Sequence, residues 1–388
     1  MTVNTSVELN DDATWTFKRI VVSLLLVFLL TKNGRRLLSQ SLVNATKKYM
    51  FLVPVRIRYR MIAAGLHLPF YLQRPLLKMM QAPEREHHSS ILRVRYKSWA
   101  GDWIVQDIHQ KQKDPKAWME MTVAEADLVI MFIHGGGFHL GTSTQYMPAF
   151  LNMISQLKDN HQLNDVRILS VDYSLSPMAA HPTALNECVS AYRYLVHDLS
   201  ISPSRIIVAG DSAGGNLTAA TLLKVRDQRH HQELAELPPI PLPAGAAMIS
   251  PWVDLDDDRS ITAEYDVESD FVRSWQIRSY FSGYLPQLDQ LNQQERQAVL
   301  RQPDVSPIYA DYHHFCPVLL SMGGGEFIRP QIEAFAKKLK NDGVDLDIVT
   351  RPDAPHCHIV ESNVAVSKEQ WLKDLKAFTD WCAKIVSK

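Results

Sequence analysis

Cysteine is scarce in this chain: only Cys188, Cys316, Cys357 and Cys382 occur in 388 residues. So few thiols exclude a disulfide-stapled scaffold while leaving room for one isolated bridge, and their separations match no metal-ligand spacing. An excess of either charge is also missing. Lys plus Arg is 41 and Asp plus Glu is 42, so the balance gives no reason to expect nucleic acid as a partner. A membrane-spanning run of ordinary length is lacking too. The segment "IVVSLLLVFLL", Ile20 to Leu30, is uncharged, but as a helix it reaches roughly 16 Å, short of the ~30 Å that about 20 apolar residues cross.

That short segment has Lys18 and Arg19 on one side, Lys32, Arg35 and Arg36 on the other, and no small-x-small cleavage site after it. It fits a short signal anchor with snorkelling cations, an interfacial helix or a core-packing helix. Membrane attachment is the expectation, with the endoplasmic reticulum as a candidate compartment and a secretory or cytoplasmic location otherwise. Basic residues on both flanks leave the orientation open.

What is present is ample core material: 46% of residues are hydrophobic and 21% charged, the balance of a globular protein. Residues 1–36 read as a tail carrying the apolar segment. Residues 37–90 read as several short helices punctuated by Pro54, Pro69, Pro75 and Pro83, a cap-like segment. Residues 91–388 read as an α/β domain. Within it, Ile91 to Gln110 shows two β-type runs joined at Gly101-Asp102, a hairpin signal.

After that the pattern alternates. Strands are predicted at Leu128–Ile133, Val166–Val171, Arg205–Ala209, Ala246–Ile249, Val318–Ser321 and Asp345–Thr350. Helices are predicted at roughly Pro182–Asp198, Ala213–Gln228, Arg329–Asn341 and Glu369–Val386. Such alternation implies a mostly parallel sheet with helices on both faces. It breaks at about 252–307, where the acidic run Asp254 to Asp258 precedes Phe271, Trp275, Tyr280, Phe281 and Tyr284. The break reads as an insertion covering the strand ends, or as an extra surface helix pair. The acidic run reads as a solvated loop, since calcium loops need a longer ligand pattern.

Chemistry is concentrated in a few small-residue clusters. In "IIVAGDSAGGNLTAATLL", Ile206 to Leu223, Ser212 sits among Gly210, Ala213, Gly214 and Gly215, between a β-branched run and a helix-forming one. This is the G-x-S-x-G nucleophile elbow in the strand–turn–helix context it requires. A serine nucleophile also needs a hole for the oxyanion, and "IHGGGFHLG", Ile133 to Gly141, offers bare amides after another strand. The N–H groups of Gly135, Gly136 and Ala213 are the expected donors. The acid and base should follow the serine in that order. Glu326 in "MGGGEFIRPQ" and His356 or His358 in "RPDAPHCH" each end a predicted strand. His356 is preferred because it follows the turn Asp353-Ala354-Pro355 more closely.

Taken in order, "HGGGFHLG", "VDYSLSP", "GDSAGGNL", "SPWVDL", "VSPIYAD" and "PHCH" resemble the hormone-sensitive-lipase branch of the α/β-hydrolase superfamily. That branch includes bacterial esterases, arylacetamide deacetylases and fungal steryl acetyl hydrolases. The resemblance spans about Leu128 to the C-terminus. It implies an eight-stranded α/β-hydrolase sheet, a triad of Ser212, Glu326 and His356, a cap built from the N-terminal segment and the insertion, and no cofactor. The chain departs from the pattern where Glu326 replaces the usual Asp and where "YSLSPM" replaces "YRLAPE", losing an acidic residue at Met178. It departs again before His356, where Asp353-Ala354 replaces Gly-Met. Asp353 is a second candidate acid, but it lies too close to His356 in sequence to fit the order.

The expected activity is hydrolysis of carboxylic esters through an acyl-enzyme on a small lipophilic substrate, with steryl acetates as the favoured class and a membrane surface as a possible setting. An arylamide deacetylase on the same triad is the alternative. A non-catalytic ligand-binding relative is the rival from another class; retention of His356 argues against it.

Overall fold

Five segments of the chain, Leu128–Ile133, Val166–Val171, Ile206–Asp211, Gly245–Ile249 and Val318–Gly323, are buried at every position. Strands covered by helices on both faces must be apolar throughout. The computed structural model describes residues 52–228, 238–256, 269–272 and 283–387. The apolar segment Ile20–Leu30 and the aromatics Trp275, Tyr280 and Phe281 lie outside the described residues.

The strands are β1 (Ile91–Arg95), β2 (Ala100–Ile104), β3 (Leu128–Ile133), β4 (Val166–Val171), β5 (Ile206–Asp211), β6 (Gly245–Ile249), β7 (Val318–Gly323) and β8 (Leu346–Arg351). They form one 8-stranded sheet in the order β1-β2-β4-β3-β5-β6-β7-β8. β1 and β2 pair antiparallel, as do β2 and β4, and every later pairing is parallel. Alternation along β3 sends Val129, Met131 and Ile133 into one core and Leu128, Ile130 and Phe132 into the other.

Among the described residues, the helices of eleven residues or more are α1 (Val55–Leu66), α2 (Phe70–Met80), α3 (Met147–His161), α4 (Thr183–Arg193), α5 (Ala213–Arg226), α6 (Arg329–Asn341) and α7 (Lys368–Val386). α4 and α5 pack together on one face; α3 and α7 pack together on the other. The sequence pattern did not assign α3, whose buried face is Phe150, Met153, Ile154 and Leu157. α1 and α2 start directly after Pro54 and Pro69. Both are fastened to the sheet domain: Arg58 donates to Asn363 O (2.7 Å), Tyr59 to Val364 O (2.9 Å) and Arg74 to Ser176 O (3.1 Å). Among the described residues, no helix is long and apolar enough to cross a membrane.

One expectation is corrected. The hairpin does not turn at Gly101-Asp102; both lie inside β2, and the turn is at Lys97-Ser98, closed by Tyr96 N–H to Trp99 O at 2.9 Å. Gly101 is small for another reason. A Cβ there would stand 2.7 Å from Ser170 O on the neighbouring strand. Asp102 is held by Arg93 across the hairpin at 2.8 Å.

Candidate active site

Strand register brings the chemical segments to one edge. Ile133 lies opposite Gly210, Asp211 opposite Ile249, Ile249 opposite Ser321, and Gly323 opposite Arg351. The glycine loop, the elbow, the Glu326 turn and the His356 turn therefore leave the same carboxyl edge, where open α/β sheets place their sites.

The elbow is as tight as its composition implies. Ser212 has φ 52° and ψ −119°, a conformation that a residue with a side chain adopts only when its surroundings impose it. A Cβ on Gly210 would lie 2.4 Å from Gly214 O, and one on Gly214 would lie 2.0 Å from Ile133 O. Backbone bonds fix the turn: Ser212 N–H donates to Ile249 O (2.9 Å), and Trp252 N–H donates to Ser212 O (3.0 Å). The Ser212 hydroxyl has no hydrogen-bond partner among the described residues.

Of the three expected oxyanion donors, one is not available. Gly135 N–H donates to Asp211 Oδ1 at 2.8 Å inside the protein, so it cannot face a substrate. The reason is the residue just before the serine. Asp211 is 1% exposed, and a buried carboxylate must collect donors. It also accepts from Tyr146 Oη (2.7 Å) and Cys357 Sγ (3.3 Å). Burial pushes its carboxyl up from the ordinary range, and these hydrogen bonds pull it back. The N–H groups of Gly136, Gly137 and Ala213 carry no partner among the described residues. Gly136 and Gly137 have φ values of 120° and 62°, which lets their amides turn away from the strand. The loop is braced by His134, whose Nδ1–H donates to Gly135 O (2.8 Å) while its ring stacks on Tyr173.

Glu326 and His356 meet. His356 Nδ1–H donates to Glu326 Oε2 at 2.9 Å, with the residues only 5% and 4% exposed. Glu326 Oε1 accepts from Gly323 N–H at 2.8 Å. A proton on Nδ1 leaves Nε2 of the neutral ring as the acceptor. Burial works against the imidazolium, but the Glu326 hydrogen bond and charge, with the charges of Asp270 and Asp211, outweigh it and hold His356 above the ordinary histidine value. His358 is fully buried, and burial pushes its pKa down to about 3. Asp353 is exposed. The Cys357–Asp211 contact ties the histidine turn to the elbow, because each residue is the chain neighbour of His356 or Ser212.

Sequence reasoning missed Asp270. It belongs to the insertion, is 0% exposed, and accepts from Phe327 N–H (2.8 Å) and His356 N–H (3.2 Å) as well as Phe271 N–H (2.8 Å). One carboxylate thus pins the backbones that carry Glu326 and His356. Phe271 then packs edge-on against the His356 ring. Tyr284, also in the insertion, stacks on Phe138 of the glycine loop with ring centroids 3.9 Å apart. A cluster with metal-ligand proximity, Asp311, His313 and Asp342, precedes β7 and β8 and so lies at the opposite sheet edge. Asp342 already holds Tyr312 N–H and Lys338.

The sequence pattern of the alpha/beta hydrolase fold matches residues 130–360, and the chain belongs to that family. Its similarities run to hormone-sensitive-lipase-like members. An acetyl-hydrolase of Streptomyces hygroscopicus is 26% identical over 227 residues, 58% of this chain and 67% of that protein. The hormone-sensitive lipase of Mus musculus is 41% identical over 99 residues, 25% of this chain and 12% of the lipase. A crystal structure of an esterase from the bacterial hormone-sensitive lipase family superposes with a TM-score of 0.64 at 25% identity, covering 86% of this chain and 98% of the esterase. The chain spans roughly half to two thirds of the first curated relatives, between 54% and 67% of their length.

Proposed function

We propose that the chain hydrolyses carboxylic esters through a serine acyl-enzyme. The observation that carries this reading is the buried 2.9 Å Glu326–His356 pair, set at the same sheet edge as the strained Ser212 turn and the unpartnered amides of Gly136, Gly137 and Ala213. In this mechanism His356 Nε2 takes the proton from Ser212 Oγ, which attacks the ester carbonyl. The tetrahedral oxyanion rests on the amides of Gly136, Gly137 and Ala213. His356, oriented by Glu326, returns the proton to the departing alkoxide. Water then repeats the cycle and releases the acid. The unengaged Ser212 hydroxyl is compatible with this, because such hydrogen bonds often tighten only with substrate bound.

The proposed substrates are short-acyl esters of lipophilic alcohols, with steryl acetates as the leading class. Support comes from the acetyl-hydrolase among the relatives and from the sequence resemblance to steryl acetyl hydrolases. The N-terminal helices and the insertion are proposed as the cap over the strand ends, and residues 1–36 as a membrane attachment. The test is hydrolysis of p-nitrophenyl acetate by purified protein and by Ser212→Ala, followed by steryl acetate against an acetylated arylamine at equal solubility. Loss of ester cleavage in the variant supports the mechanism, and activity that survives it overturns it. Faster release from the arylamide would replace the steryl ester by the amide as the substrate class.

A further inference from the structure

We infer that a second cleft, behind the glycine loop, binds an amphipathic anion: a carboxylate or phosphate monoester carrying an apolar chain. The cleft has a volume of about 600 Å³, within the range of small-molecule sites. Ser212, Glu326 and His356 are not among its lining residues.

Its charge is one-sided. Arg74, Lys78, Arg93, Arg95 and Lys97 line it, against the carboxylates of Asp172 and Glu187. Both carboxylates are engaged. Asp172 pairs with Arg93, and Glu187 accepts the Ser174 N–H and hydroxyl at 2.5 and 2.6 Å. Lys78, Arg95 and Lys97 are exposed and have no ion-pair or hydrogen-bond partner among the described residues. Cations gathered in a concave, partly apolar site focus their field and concentrate anions there.

The walls make the ligand amphipathic. Leu77, Trp99, Leu140 and Leu175 contribute apolar surface, and Met178 at the rim is 79% exposed. Met178 is also the place where the resemblance leads one to expect an acid, which would have opposed an anion. A bare inorganic ion would leave this surface wet, whereas an alkyl chain would cover it.

The cleft shares a wall with the proposed site. Leu140, Gly141 and Thr142 line it, while the N–H groups of His139 and Leu140 donate to Gly136 O at 3.1 and 2.9 Å. An occupant therefore presses on the turn that carries the Gly136 amide. Binding itself does not depend on the chain being a hydrolase.

The experiment is calorimetric titration of the full chain carrying Ser212→Ala, so that no probe is consumed. The probes are monomeric decyl phosphate, decanoate, decanol and inorganic phosphate, with vesicles of neutral and anionic phospholipid as a separate arm. The two amphipathic anions should bind in a salt-sensitive way. Reversing three exposed charges, Lys78→Glu, Arg95→Glu and Lys97→Glu together, should weaken that binding by about tenfold or more. The same triple change in a Ser212-containing chain should leave p-nitrophenyl acetate hydrolysis unchanged, which separates this cleft from the proposed active site. An unaltered melting temperature shows that the triple variant is folded. Equal binding of decanol, equal binding of inorganic phosphate, binding to anionic vesicles alone, or affinity untouched by charge reversal each overturns the inference.

Discussion

The Gly135 amide gives its hydrogen to Asp211 Oδ1 across 2.8 Å, joining the glycine loop to the residue that immediately precedes the elbow serine. The loop after β3 and the elbow after β5 are thus one hydrogen-bonded unit. The amides proposed for the oxyanion are therefore those of Gly136 and Gly137, one residue further along the glycine run. Asp211 also fixes the histidine turn through Cys357 and anchors α3 through Tyr146.

Tyr146→Phe tests this unit with little change of shape. It removes one donor from a carboxylate that keeps two others, so stability should fall by about 1 kcal/mol. Asp211→Ala should cost more, on the order of 3 kcal/mol, because it strands buried donors. Chemical denaturation of both variants checks the order. A larger loss in Tyr146→Phe would contradict the assignment.

Gly136→Ala tests the displaced oxyanion site. The added Cβ would stand 2.3 Å from Leu140 O, at a φ of 120°, so the loop must move and its amide with it. Loss of one such donor lowers kcat by about 10²–10³ with little effect on KM. Gly65→Ala is the control: nothing lies within 4 Å of its Cβ in α1, and removing a helical glycine should add up to ~1 kcal/mol of stability. Steady-state kinetics of Gly136→Ala with unchanged kcat would rule out its amide as a donor.

The pH profile follows from His356. The base acts when neutral, so kcat/KM falls as pH drops through its pKa. That pKa is held above the ordinary value by Glu326, Asp270 and Asp211, so the acid limb should have its midpoint above ~6.5. A midpoint below that value would show that burial dominates instead.

Asp270→Asn separates positioning from simple structure. Removing its charge should move the acid limb of the profile to lower pH, because a carboxylate that favours the imidazolium is gone. Loosening the Phe327 and His356 backbones should also reduce kcat by roughly ten- to a hundredfold while KM changes little. A variant with reduced kcat and an unmoved acid limb would leave Asp270 with a packing role alone.

Local patterns carried much of this architecture into view. The elbow is readable because strand, turn and helix are contiguous, and the glycines around Ser212 can be explained one contact at a time. Glu326 and His356 are readable because strand ends in alternating order converge on one edge. Asp270 left no such trace. Its bonds to Phe327 and His356 join residues 57 and 86 positions apart, and a lone aspartate in an irregular insertion looks like any solvated one. Gly135 differs from the sequence expectation because a glycine run does not say which amide an internal carboxylate will claim. Gly101 differs from the sequence expectation because a strand glycine under a neighbouring carbonyl and a turn glycine have the same signature in sequence.

In the proposed mechanism Ser212 owes its reactivity to the buried Glu326–His356 pair. The direct measurement is labelling by a fluorophosphonate, read as the modified peptide and its rate. One label per chain is expected on Ser212, none in Ser212→Ala, and a rate at least about a hundredfold slower in folded His356→Gln. Labelling elsewhere, or a rate on Ser212 that His356→Gln leaves unchanged, would contradict it.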